Sequence, residues 1–129
     1  MAVRLRNVTV DCTGDALAVG RFWGEVTGRD VIEDVHDGQP IAWLPPLQDE
    51  GGPGLLFLSV PEPKSVKNRW HLDLEPTERT RDEEVARLLG LGATQLADFR
   101  EADGTGWVVM ADPFGNEFCV ERSGAERQA

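Results

Sequence analysis

His71 and Asp73 stand two residues apart in the run Trp70-His71-Leu72-Asp73-Leu74. Polar and apolar residues alternate there, so a strand would send both polar side chains to one face. An imidazole beside a carboxylate can take up a proton, donate to a ligand carbonyl or bind a metal. Equally, such a histidine can simply line a pocket wall. Asp11 and Glu117 fall in the polar phase of two other strand-like runs and would join the same inner face. The bland reading of Asp11 and Asp73 is structural: carboxylates that accept from strand ends or pair with Arg69. Cys119 adds a thiol two residues beyond Glu117. It is a metal ligand or redox group if deprotonated, and a small buried hydrophobe otherwise. Trp43 and Trp107 lie on apolar strand runs, where indoles either wall a site for a flat organic ligand or fill space. His36, beside Asp37-Gly38, reads as a surface residue.

Other chemistries are excluded. The chain has no phosphate-cradling glycine loop and no dinucleotide fingerprint. Gly90-Leu91-Gly92 closes a helix, whereas an anion site needs a helix start. No serine sits on a strand-to-helix elbow.

The elements that would position these residues come in two copies. Asn7-Val8-Thr9-Val10-Asp11 opens one span that ends at Gly28; His71 to Glu75 opens another that ends at Gly92. Both starts and both ends stand 64 positions apart. A repeat of this length points to two copies of one supersecondary unit. In the first, Asp15 is the expected N-cap, and Ala16, Val19, Phe22, Trp23 and Val26 recur at helical spacing up to Gly28. Strands are predicted at 30–35, 41–44 and 55–60, with a breaker-rich loop from Pro45 to Gly54. In the second, Trp70, Leu72 and Leu74 form the core phase of a strand. Val85, Leu88 and Leu89 mark a helix ended by Gly90 and Gly92. Strands follow at 94–99, 107–111 and 117–122, with a tight turn at Asp112-Pro113-Phe114-Gly115-Asn116. Residues 1–60 therefore form a first βαβββ module, 61–67 a proline-containing linker, 68–122 a second module and 123–129 a polar, frayed tail. The fold class is α+β. The expected architecture is a curved, mostly antiparallel eight-stranded trough with the helices outside.

Composition bounds the partners. Thirteen basic and 23 acidic residues give a net charge of −10, which repels phosphate backbones and argues against nucleic acid. No apolar run approaches the roughly 20 residues that span a bilayer. The first residues lack the apolar stretch of a secretory leader, so a cytoplasmic location is expected. The two cysteines, Cys12 and Cys119, differ in strand phase, and no disulfide is expected.

Four segments together resemble the vicinal oxygen chelate superfamily of glyoxalases, extradiol dioxygenases and bleomycin-resistance proteins, and within it the small glyoxalase-like domain proteins. They are Val10-Asp11-Cys12 leading to Arg21-Phe22-Trp23; the run from Lys67 to Leu74; Gly90-Leu91-Gly92-Ala93; and the run from Asp112 to Val120. The resemblance implies a small organic molecule as ligand and a homodimer. It also implies metal positions at Asn7, Leu58, His71 and Cys119. Of these, His71 is a good ligand, Asn7 a feeble one and Leu58 none. No cofactor is therefore expected; a divalent metal, if bound, would use His71 with Glu117 or Asp73. The ligand-binding set is Asn7, Asp11, Trp43, Leu58, His71, Asp73, Trp107, Glu117 and Cys119, with His71 as the acid–base residue. Two alternatives stand beside this reading. One is a drug-sequestering protein of the bleomycin-resistance type. The other is a metal-dependent lyase, isomerase or dioxygenase with non-standard ligands.

Overall fold

A computed structural model describes residues 2–47 and 52–128; positions 48–51 of the predicted loop lie outside the described residues. The chain divides into two compact units, Met1–Lys64 and Ser65–Ala129. Unit 1 runs β1 (Asn7–Thr13), α1 (Ala16–Thr27), β2 (Ile32–His36), β3 (Gln39–Leu44) and β4 (Gly54–Val60). Unit 2 repeats the order with β5 (Leu72–Leu74), α2 (Arg81–Gly90), β6 (Thr94–Asp98), β7 (Val108–Ala111) and β8 (Glu117–Val120), then adds α3 (Gly124–Gln128). The sheets are four-stranded, ordered β1-β4-β3-β2 and β5-β8-β7-β6. In each, the first strand lies parallel to the last and the other pairings are antiparallel. The class is thus α+β, built from two βαβββ modules with mixed sheets.

Local sequence explains the elements. The Asp15 carboxylate accepts from the Leu17 N–H, and Gly28 ends α1 with φ +72°, where glycine has no steric penalty. Ala16, Val19, Phe22 and Trp23 are buried, together with Cys12, Ala42, Leu44, Leu55 and Phe57 of the sheet. In unit 2, Thr80 and Glu83 form a reciprocal capping box at the start of α2. Val85 and Leu88 are buried with Val108, Met110, Phe118 and Val120, while Leu89 is exposed. Asp37 and Gly38 both have positive φ, giving the two-residue turn that suits the twist of β2 and β3. The Asp112 carboxylate holds the last turn by accepting from Phe114 N–H, Asn116 N–H and the Asn116 amide.

Three expectations are corrected. Trp70 is not core: it is 88% exposed, because residues 69–70 form a bend and β5 begins only at Leu72, so the alternation never reaches it. Trp107 precedes β7 rather than belonging to it. It packs on Phe99 with ring centroids 6.0 Å apart, and its carbonyl accepts from the Phe99 N–H. The C-terminal segment carries helix α3 instead of fraying. The Ser123 hydroxyl accepts from Glu126 N–H, and the Glu126 carboxylate accepts from both Ser123 N–H and Arg81 N–H.

Candidate functional site

Side chains alternate along a strand, so in each sheet one face packs under the helix and the other carries the polar residues; in unit 2 the middle of that second face, at Val109, Ala111 and Cys119, is buried. The second face of unit 2 gathers the sequence-predicted residues most closely. In the parallel register of β5 and β8, Asp73 lies opposite Cys119. His71, two residues before Asp73, turns the same way. Its Nδ1 is 3.5 Å from Asp73 Oδ1 and 3.6 Å from Cys119 Sγ. One ligand atom from each of the three lies within 4.8 Å of the others. His71 and Asp73 are exposed, while Cys119 is 4% exposed.

Electrostatics fixes the hydrogens of this cluster. Burial first, then the charge of Asp73 and a hydrogen bond to it, push the Cys119 thiol from 9.0 up to about 11. Cys119 is therefore a thiol at neutral pH and a donor, not a thiolate. The Asp73 carboxylate accepts, and an N–H on His71 Nδ1 suits it. That tautomer leaves a lone pair on Nε2 of a side chain that is 41% exposed.

Glu117 lies on the same face but is engaged elsewhere. One oxygen accepts from Lys67 Nζ at 3.0 Å and the other from Asn68 N–H at 2.7 Å. Among the described residues, the three-donor cluster consists of His71, Asp73 and Cys119 without Glu117.

Unit 1 places different groups on its second face. Asn7 Oδ1 accepts from Trp43 Nε1 at 2.9 Å, and the Arg6 guanidinium lies 5.4 Å from the centre of the Trp43 ring. Gly54 pairs with Asn7 and makes room for this contact: a Cβ there would fall 2.4 Å from Asn7 Oδ1. Asn7 and Trp43 line an open cavity of about 240 Å³ with Arg6, Ile32, Asp34, Ile41 and Leu56. Sequence reading missed the last five, although Ile41 shares Trp43's phase on β3 and would have signalled the face. Asp11 and Leu58 pair with each other further along the strands. The residue beside Thr9, nearer Asn7, is Leu56.

The superfamily's metal positions can now be tested against side chains. Asn7 is occupied by Trp43, and Leu58 offers no donor. His71 and Cys119 do converge, and Asp73 joins them as a third donor. Four-coordinate ions with bonds near 2.0–2.3 Å hold ligand atoms about 3.3–3.8 Å apart. The two separations from Nδ1 fall in that interval, while the three atoms together lie only within 4.8 Å, so His71, Asp73 and Cys119 are donors that could reach one ion after side-chain rotation. An ion held there would supply Lewis-acid polarisation of a bound oxygen.

Two βαβββ modules in one chain, each with a mixed four-stranded sheet, define a class of proteins that repeat one small unit. The chain belongs to the glyoxalase-like domain family of the vicinal oxygen chelate superfamily: that family's model matches residues 7–121. Solved structures agree in fold. A glyoxalase/bleomycin resistance protein/dioxygenase family enzyme from Burkholderia phytofirmans PsJN is 22% identical, with 92% of this chain and 97% of that one covered and a TM-score of 0.66. A mutant of the fosfomycin resistance protein FosX from Listeria monocytogenes, complexed with Mn(II) and 1S,2S-dihydroxypropylphosphonic acid, is 14% identical, with 99% and 98% covered and a TM-score of 0.72. The trypanothione-dependent glyoxalase I of Leishmania major is 14% identical, with 98% and 91% covered and a TM-score of 0.68. No curated protein matches the sequence. Among the described residues, no helix is long and apolar enough to cross a membrane.

Proposed function

We propose that this protein binds a small organic molecule on the sheet face away from its helices and that His71 takes up or returns a proton on it. The observation that carries the reading is the setting of His71. Asp73 and Cys119 flank Nδ1 on a side chain that solvent reaches, and with a proton on Nδ1 the free Nε2 would accept one from a ligand. A positioned base of this kind supports proton abstraction from a carbon or oxygen acid. Unit 1 separately offers, at the Trp43 cavity, an aromatic, partly apolar surface suited to a flat ligand, with Arg6 beside it.

The test begins with a thermal-shift screen of small organic acids, carbonyl compounds and cationic drugs, since a ligand raises apparent stability by linkage. For any hit that is turned over, His71→Ala should lower kcat by about 10²–10⁴-fold, the usual worth of a general base. Unchanged turnover in that variant would remove His71 from the mechanism. Binding without turnover, with no proton exchange into the ligand, would favour a sequestering protein instead.

A further inference from the structure

We propose that Glu117 is the positioning residue of His71: its carboxylate ties down the chain segment that carries the imidazole. The inference rests on the reading of His71 as a proton acceptor and adds a residue that acts on it through the backbone. His71 stands just before β5, which begins at Leu72, and residues 69–70 form a bend. A strand ladder fixes side-chain direction, so a residue ahead of the ladder needs another support. Glu117 supplies it from the start of β8. One carboxylate oxygen accepts from Asn68 N–H at 2.7 Å and the other from Lys67 Nζ at 3.0 Å. Asn68 is thus anchored three residues before His71, and the pairing of Leu72 with Phe118 anchors the chain just after it.

The two contacts of Glu117 are unequal. The Lys67 side chain is 71% exposed, so water screens its ion pair, which is worth little. A backbone N–H on a carboxylate is charge-assisted and fixes the chain itself. The Asn68 bond is therefore the anchor and Lys67 an accessory. Unit 1 solves the same problem differently. Leu56 matches Cys119, so Gly54, two residues earlier, matches Glu117. Gly54 has no side chain to reach the preceding segment, and Asn7 is instead held directly by the Trp43 indole at 2.9 Å. The contacts of His71 Nδ1 to Asp73 and Cys119, at 3.5 and 3.6 Å, are longer and hold the ring less firmly.

The test uses the full-length chain, without ligand, at one fixed pH. NMR reads the ring signals of His71, with exposed His36, the other of the chain's two histidines, as reference. Amide exchange reads Asn68. Glu117→Ala should speed exchange at Asn68 by at least about tenfold and move or broaden the His71 signals, leaving those of His36 in place. Glu117→Gln keeps an oxygen for the N–H and should preserve both readings. Lys67→Met should leave both near the parent. Asn68→Pro removes the donor from a segment outside the strands, leaves β8 intact and should reproduce the His71 change; it decides the question if Glu117→Ala does not fold. On a ligand that is turned over, Glu117→Ala should lower kcat by about 10–10²-fold with KM little changed, the cost of about an ångström of misplacement. The proposal is overturned if the His71 signals stay in place in Glu117→Ala and Asn68→Pro, or if Lys67→Met reproduces the effect of Glu117→Ala. Those signals need no ligand, so they judge the tether by itself; a failure of His71 as base shows instead as unchanged turnover in His71→Ala.

Discussion

Unit 1 and unit 2 follow one βαβββ plan, yet the sheet faces away from their helices differ at three matched positions. Asn7 and Thr9 stand 64 positions before His71 and Asp73. Across the parallel pairing, Thr9 faces Leu56 just as Asp73 faces Cys119. Unit 1 therefore carries amide, hydroxyl and isobutyl groups where unit 2 carries imidazole, carboxylate and thiol. In unit 1 the amide is tied to an indole and helps wall a cavity. In unit 2 the imidazole is held by groups that can share protons or a metal. The two units thus share a backbone plan and differ in the chemistry of the side chains at one level of the sheet.

The strongest challenge to this comparison is to make the copies equal. The triple variant Asn7→His, Thr9→Asp, Leu56→Cys should give unit 1 a thiol that titrates well above 9.0, as Cys119 does, if strand register alone creates the cluster. A new thiol that titrates at the ordinary value would show that unit 2 supplies something beyond these three side chains.

The helices differ as well, and this sets the next largest effect. Positions 20 and 24 are glycine in α1; 64 positions on, α2 has Glu84 and Leu88. A Cβ on Gly20 would lie 2.3 Å from the Ala42 Cβ, and one on Gly24 would lie 2.5 Å from Val31 Cγ2. Helix α1 thus rests directly on its sheet, where α2 stands on side chains, with Glu84 accepting from Arg87 at 2.7 Å. Gly20→Ala should cost about 1–3 kcal/mol by overpacking, despite alanine's better helix propensity. A melting temperature lower by about 5–10 °C would register it. An unchanged melting temperature would mean that α1 can lift off without penalty.

Cys119 offers a pH-dependent contrast, since Leu56 at its matched position cannot titrate. The folded thiol is raised from 9.0 to about 11, so the folded chain holds its proton more tightly than the unfolded one. Stability from this source is intact below pH 9, declines as pH rises through 9 toward 11, and is lost above that. At roughly 1.4 kcal/mol per unit the loss is bounded at about 3 kcal/mol, and solvent screening reduces it. Urea melts at pH 8 and pH 11 would read it, and Cys119→Ala should flatten that part of the dependence. An equal decline in the alanine variant would assign the effect to other groups.

These contrasts also mark what the sequence could disclose. Strand alternation, the helical stripe of Ala16, Val19 and Phe22 and the glycine at 28 are local signals, and each element they announce is present. The grouping of His71 with Asp73 was likewise visible from their two-residue spacing, although β5 itself begins only at Leu72. That Cys119 rather than Glu117 completes the cluster depends on where β5 meets β8, and on Lys67 and Asn68 engaging Glu117. Leu58 is two residues off as the counterpart of Cys119 because strand identity does not give register: Leu58 pairs with Asp11, whereas Leu56, opposite Thr9, matches Cys119 opposite Asp73. Trp70 misled because alternation in sequence continues through a bend that ends the strand. The C-terminal helix was hidden because Glu126 meets the Arg81 N–H from 45 residues away.

That last contact yields the smallest predicted effect. Helix α1 is capped locally by Asp15, while α2 has the Thr80–Glu83 box and, in addition, Glu126 from α3 accepting the first helical N–H at 2.7 Å. The Glu126 carboxyl is held below its usual value by the Ser123 N–H first, with help from the Arg81 N–H against some desolvation. Its support is therefore present above the ordinary carboxylate range and fades as pH falls through the lowered value. Glu126→Ala removes an acceptor that the capping box does not replace, since Thr80 serves the Glu83 N–H and leaves Arg81 unpaired. The expected cost is about 0.5–1 kcal/mol, comparable to a lost cap. Hydrogen exchange at fixed pH should show faster exchange at Arg81 and an unchanged first turn of α1. Equal acceleration in both helices would mean that α3 stabilises the chain globally rather than capping α2.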